Sequence, residues 1–148
     1  MKTLNRTFAT RFLMLLFLGI SLTGIFSCNN DDDKSEPSTM ELLTSGRWYL
    51  QSSTILTVTA CDREKYFDFS NDGSLILLVT EMVDGTCTNH PLQNFTFELT
   101  TENNIIINQA DGESTMLEIA SITQNSLVLR QSMTDGGTHD LIFDKTAG

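Results

Sequence analysis

Phe95-Thr96-Phe97-Glu98-Leu99-Thr100-Thr101-Glu102-Asn103-Asn104-Ile105-Ile106-Ile107 is the stretch on which the reading of the fold turns. Phe95, Phe97 and Leu99 alternate with Thr96 and Glu98, the period of two that marks a strand with one buried face. Glu102-Asn103-Asn104 then supplies residues that tolerate the positive φ of a tight turn, and Ile105 and Ile107 resume the apolar face. Strand, turn and strand make an antiparallel hairpin.

The same grammar extends in both directions. Strands are expected near 47–58, 64–70, 74–82, 92–100, 104–109, 113–121, 126–133 and 138–144, joined by Asn71-Asp72-Gly73, Asp84-Gly85, Asp111-Gly112 and Asp135-Gly136-Gly137. Trp48 and Leu50, Phe67 and Phe69, Leu127 and Leu129, and Leu141 and Phe143 carry the inward face through the other strands. Successive hairpins without long crossings favour an up-and-down barrel over a two-sheet sandwich, and closure removes exposed sheet edges. The fold class is therefore all-β: an eight-stranded antiparallel barrel preceded by a short helix that Ser38 or Thr39 caps and Gly46 ends. Leu75-Ile76-Leu77-Leu78-Val79 breaks the alternation, so Ile76 and Leu78 need a cover. The short helix packed on the barrel's outside, or an interface with a partner, would provide it.

Ahead of this domain, residues 1–27 have the basic start, apolar run and small residue of an export signal. Residues 28–38 are acidic and lack any large apolar side chain, as expected of a disordered tether, and the barrel domain is read over 39–148. Removing residues 1–27 takes Lys2, Arg6 and Arg11 and no acid, leaving six basic residues against nineteen acidic ones and a formal charge near −13. Such a surface repels nucleic acid.

Ile25-Phe26-Ser27-Cys28 resembles the lipobox of bacterial lipoproteins, in which the cysteine becomes the lipid-modified first residue. That resemblance implies a membrane anchor at Cys28 and an outer-membrane lipoprotein on the periplasmic or cell-surface face. An ordinary secreted protein, with Cys28 merely near the cleavage site, is the alternative. Asp31-Asp32-Asp33 resembles the surface-export signal of Bacteroidetes lipoproteins, and a plain solvated spacer accounts for the same charges. In an oxidising compartment the remaining cysteines, Cys61 and Cys87, form an even pair expected to bridge. A Cys87 thiol working with His90 is the competing reading.

Gly46-Arg47-Trp48, after a short helix and opening the first strand, resembles the Gly-x-Trp of lipocalins and related calycins. With Cys61-Asp62, Tyr66-Phe67-Asp68-Phe69, Asp72-Gly73, Cys87 and Ser126-Leu127-Val128-Leu129-Arg130, it resembles the small lipocalin-like lipoproteins of Bacteroidetes. The resemblance implies that Gly46 and Trp48 close one end of the barrel, with a late basic residue across the Trp ring; Arg130 is the candidate. It also implies a small apolar or amphipathic ligand, at residues the sequence does not identify.

Large inward side chains such as Trp48, Phe67, Phe95, Phe97 and Phe143 argue instead for a filled barrel that docks onto another envelope protein. An enzyme is a third reading, because hydrolase and phosphate-loop motifs are missing and Glu81, Glu98 and Glu118 are expected to face water. With only His90 and His139, no metal site or other cofactor is expected.

Overall fold

The structure, a computed structural model, describes residues 36–148. The expected signal segment, Cys28 and nearly all of the tether lie outside the described residues. One short helix, α1 (Thr39–Leu43), precedes ten strands: β1 (Trp48–Ser53), β2 (Tyr66–Phe69), β3 (Ser74–Leu78), β4 (Thr80–Val83), β5 (Thr86–Asn89), β6 (Gln93–Leu99), β7 (Asn104–Asn108), β8 (Ser114–Ile122), β9 (Ser126–Ser132) and β10 (Thr138–Asp144). Eight of them close antiparallel in the order β1-β10-β9-β8-β7-β6-β3-β2. Among the described residues no helix is long and apolar enough to cross a membrane.

The expected strand 74–82 is in fact two. β3 ends at Leu78, and β4 leaves the barrel to pair only with β5, so that β3 pairs directly with β6. Asp84 (φ 50°) and Gly85 (φ 79°) do form a tight hairpin turn, but it belongs to this accessory hairpin. Cys61 and Cys87 are disulfide-bonded, with 5.4 Å between their Cα atoms, and tie the hairpin to the segment after β1. In the chain-entropy model this closure contributes roughly 3.5 kcal/mol. Thr80, buried at the start of β4, donates its hydroxyl to the Cys61 carbonyl and reinforces the junction.

Two bulges adjust which side chains reach the interior. Leu50 pairs with Phe143, but the register slips so that Ser53, rather than Ser52, sits opposite the inward Leu141. One extra residue reverses the parity of everything after it. Ser53 thereby joins the inner face. A second slip lies between Ile119 and Ser121 on β8.

The ends of the barrel differ. At one end α1 begins with a capping box, in which Ser38 Oγ accepts from the Glu41 N–H and the Glu41 carboxylate accepts from the Ser38 N–H at 2.7 Å. The helix stops before Gly46, whose φ of +123° turns the chain into β1. It lays Leu43 into the core and Met40 against it. It thus caps the end of the barrel instead of covering Ile76 and Leu78, which stay half-buried. Leu78 lies opposite Tyr66, itself under Arg47 and Tyr49, while Ile76 is flanked by Asp68 and Asn94.

Trp48 is fully buried there and donates Nε1–H to the Leu43 carbonyl at 2.8 Å. The cation over its ring is Lys145, with Nζ 3.3 Å from the centroid, and the same ammonium donates to the Gly46 carbonyl. Arg130 is not that cation. Leu127 and Leu129 point inward on β9, so Arg130 points outward, four residues along from the closed end. Its guanidinium makes a two-pronged pair with Asp140 at 2.8 and 2.9 Å. Lys145 follows β10 directly and reaches the ring from below.

Burial lowers the Lys145 amine from 10.5 to about 8, while nearby Asp68 acts the other way. The unfolded chain holds that proton up to about 10.5, so this group's contribution to stability rises with pH between about 8 and 10.5. Trp48 is the only tryptophan. Its fluorescence is expected to titrate with a midpoint near pH 8, and Lys145→Met should abolish both that titration and the rise in stability. Arg130→Ala should leave them in place; loss of the titration in Arg130→Ala would contradict this assignment.

Candidate functional site: the open half of the barrel

Strand direction decides what lies at each level of the interior. β6 descends from Gln93 to Leu99, β7 rises from Asn104 to Asn108, and the remaining strands alternate likewise. Near the closed end Trp48, Phe69, Phe97, Ile105, Leu127, Leu129 and Phe143 are each at most 4 % exposed. The rings of Phe69 and Phe97 meet edge to face with centroids 5.0 Å apart, and those of Phe67 and Phe143 lie 5.4 Å apart. That half is filled.

The other half is not. A cavity of about 240 Å³ opens among Phe67, Leu75, Leu77, Phe95, Ile107, Gln109, Thr115, Leu117, Gln131 and Leu141. A side chamber of about 110 Å³, bounded by Leu50, Lys65, Tyr66 and Phe143, shares Phe67, Leu77 and Leu141 with it. The chamber follows from how the barrel closes. β1 and β2 are in register only at Trp48–Phe67 and Tyr49–Tyr66, and beyond them Leu50 N–H donates to the Lys65 carbonyl at 3.0 Å. The strands part above that bond.

The polar groups around this space are largely uncharged. Gln109, Thr115 and Gln131 stand at its edge on β7, β8 and β9 or just beyond their ends. Lys65 borders the side chamber, but Asp62 holds its ammonium at 2.6 Å. Lys65, together with the N–H and hydroxyl of Thr59, lowers the Asp62 carboxyl to about 2. His139, 8 % exposed, faces inward beside Gln131, with Nε2 2.8 Å from Ser53 Oγ. Ser53 Oγ already accepts from the Leu56 and Ile55 N–H groups at 3.0 and 3.3 Å, so its own O–H donates to His139 Nε2. The serine oxygen is engaged by the backbone and no carboxylate among the described residues hydrogen-bonds the imidazole, which makes the pair a brace for the loop after β1.

The residues singled out from sequence lie elsewhere. Gly46 and Trp48 belong to the closed end, Arg130 to the outer surface, and Cys61 and Cys87 to the disulfide. With Cys87 bonded to Cys61, the thiol nucleophile imagined beside His90 does not exist. His90 instead sits 3.0 Å from Glu81 on the exposed accessory hairpin. Glu98 and Glu118 are exposed as well. Among the described residues no three His, Cys, Asp or Glu side chains are grouped to hold a metal ion. A recess of about 700 Å³ lies outside the closed end between Glu41, Arg47, Asn125 and Lys145, a solvent-facing cleft unconnected with the barrel interior. The inward Gln109 and Gln131 carried a signal in sequence, because each continues the parity of Ile105–Ile107 or Leu127–Leu129 with a polar residue at the strand's end.

Residues 44–129 match the model of the lipocalin-like domain family, which spans more than half the chain. Among solved structures the chain is similar to a lipocalin-like protein from Bacteroides uniformis, with 16 % identity, 70 % of this chain and 99 % of that one covered, and a TM-score of 0.46. It is also similar to the bovine odorant-binding protein in complex with undecanal, at 18 % identity, 78 % of each chain and a TM-score of 0.40. The siderocalin Ex-FABP aligns at 13 % identity over 72 % of this chain and 76 % of that one, with a TM-score of 0.43. No curated protein sequence matches. The family match, on a closed eight-stranded barrel whose Gly46-x-Trp48 turn seals one end, places this chain in the lipocalin-like domain family.

Proposed function

We propose that this protein is a lipid-anchored binding protein of the cell envelope that holds a small apolar or amphipathic molecule in the open half of its barrel. The observation that carries the reading is the cavity between Leu75, Leu77, Phe95, Leu117 and Leu141, above the closed half that Trp48, Phe69 and Phe97 help to fill. Membership of the lipocalin-like family supports it. At about 240 Å³ the space lies just under the usual range for ligand pockets, and the side chamber brings it within that range. Burial of apolar ligand surface, at ~25 cal/mol per Å², supplies the driving force.

A second reading is docking onto an envelope partner. It is favoured by exposed Ile55 and Leu56 after β1, Met82 and Val83 on β4 of the accessory hairpin, and Leu92 just before β6. Anchoring rests on the lipobox-like Ile25-Phe26-Ser27-Cys28 and the polar run that follows it. Two or more acyl chains on Cys28 would hold the domain durably on a bilayer, at about 0.8 kcal/mol per buried methylene.

Titration of the ¹⁵N-labelled protein with 1-octanol tests the binding reading. Shifts should concentrate at Leu75, Leu77, Leu117 and Leu141, and Leu77→Trp should fill the cavity and weaken binding at least tenfold; no saturable shift at these residues would sink it. Anchoring has a separate test. Cys28→Ser should move the protein from the salt-washed membrane fraction to the soluble fraction, and retention in the membrane would reject the lipid anchor.

A further inference from the structure

We infer that the ligand of this barrel carries an uncharged hydrogen-bonding head, such as an amide, alcohol or carbonyl, on an apolar body of roughly eight to a dozen non-hydrogen atoms. The inference rests on the reading that the barrel cavity is a binding site, and it narrows the class of molecule that the site accepts. Size comes from the cavity and its side chamber, about 240 and 110 Å³, at ~30 Å³ per water-sized group.

Charge comes from the walls. β2, β3 and β6 are contiguous in the barrel and give the cavity Phe67, Leu75, Leu77 and Phe95. β7, β8 and β9, also contiguous, give it Ile107, Leu117 and, at the mouth, Gln109, Thr115 and Gln131. One side of the mouth is thus apolar and the other presents two amides and a hydroxyl. Neither glutamine side chain has a hydrogen-bond partner among the described residues, so both can donate and accept toward a guest.

Among the described residues no ionised side chain lines the main cavity. The one cation beside the smaller chamber, Lys65, is taken by Asp62. A carboxylate head would therefore lose its water without gaining a free cation, and an ammonium head would find no carboxylate. A neutral head exchanges water for amide partners at no such cost. Specificity by absent charge is a form of selection against wrong ligands.

Octanamide and octanoate match in size and differ in charge, and octylammonium supplies the opposite sign. Calorimetric titration at pH 7.5 should show octanamide binding at least tenfold more tightly than either ion. Gln109→Leu with Gln131→Leu should weaken octanamide binding at least fivefold while leaving it ahead of both ions. Gln131→Glu, at an exposed position that tolerates the change, should raise octylammonium affinity at least fivefold. Octanoate or octylammonium binding as tightly as octanamide would overturn the inference, as would an unchanged octanamide affinity in the double variant or no response to Gln131→Glu. If 1-octanol binds and octanamide has no advantage over the two ions, the head-group inference falls and the cavity reading stands; if neither 1-octanol nor octanamide binds, both fall.

Discussion

The molecule depends on a closure that is only partly made. β1 is hydrogen-bonded to β10 along its length but to β2 only at Trp48–Phe67 and Tyr49–Tyr66. Where the closure is complete, the fully buried Trp48 occupies the interior and α1 lays Leu43 over it. Where β1 and β2 separate, no described residue of comparable size fills the space. Eight strands leave an interior just wide enough for side chains, so omitting one layer of large residues is enough to leave a chamber. A tight seam therefore coincides with a packed core, and a loose seam with a cavity.

The open end is held in shape by links outside the sheet. The Cys61–Cys87 bond and the Thr80 hydroxyl tie the accessory hairpin to the segment between β1 and β2. His139 and Ser53 brace the start of that segment from inside. These links compensate for the missing β1–β2 ladder without filling the barrel. Exposed apolar side chains on the same segments, Ile55, Leu56, Met82, Val83 and Leu92, distinguish this end from the capped one.

Much of this was legible in the sequence because strand alternation is a strong, local signal. The inward residues read from Phe95 to Leu99 and from Ile105 to Ile107 are all in the core or packed against it. The boundary at Val79 was not legible, since Leu75 to Val79 is apolar throughout and no turn residue marks the exit of β4 from the barrel. Arg130 comes late in the chain, where the resemblance puts a cation across Trp48. Side-chain parity on β9 sends it outward, and the only basic residue after β10, Lys145, takes that place. The cavity was hidden for a different reason: large inward residues imply a filled interior only if their side chains meet across it, and Phe67 and Phe95 stand in the wall of the open half while Trp48, Phe69 and Phe97 pack in the core of the closed one. The polar inward positions Gln109 and Gln131 were the local clue to the other.

Xenon enters apolar cavities without needing a polar partner and so reports empty space independently of any ligand chemistry. Methyl spectra recorded under xenon pressure test most directly whether packing divides this barrel into a filled half and an open one. Saturable shifts are expected at the Leu75, Leu77, Leu117 and Leu141 methyls, with Ile105, Leu127 and Leu129 unmoved. Equal shifts in both groups, or none in the first, would contradict the account.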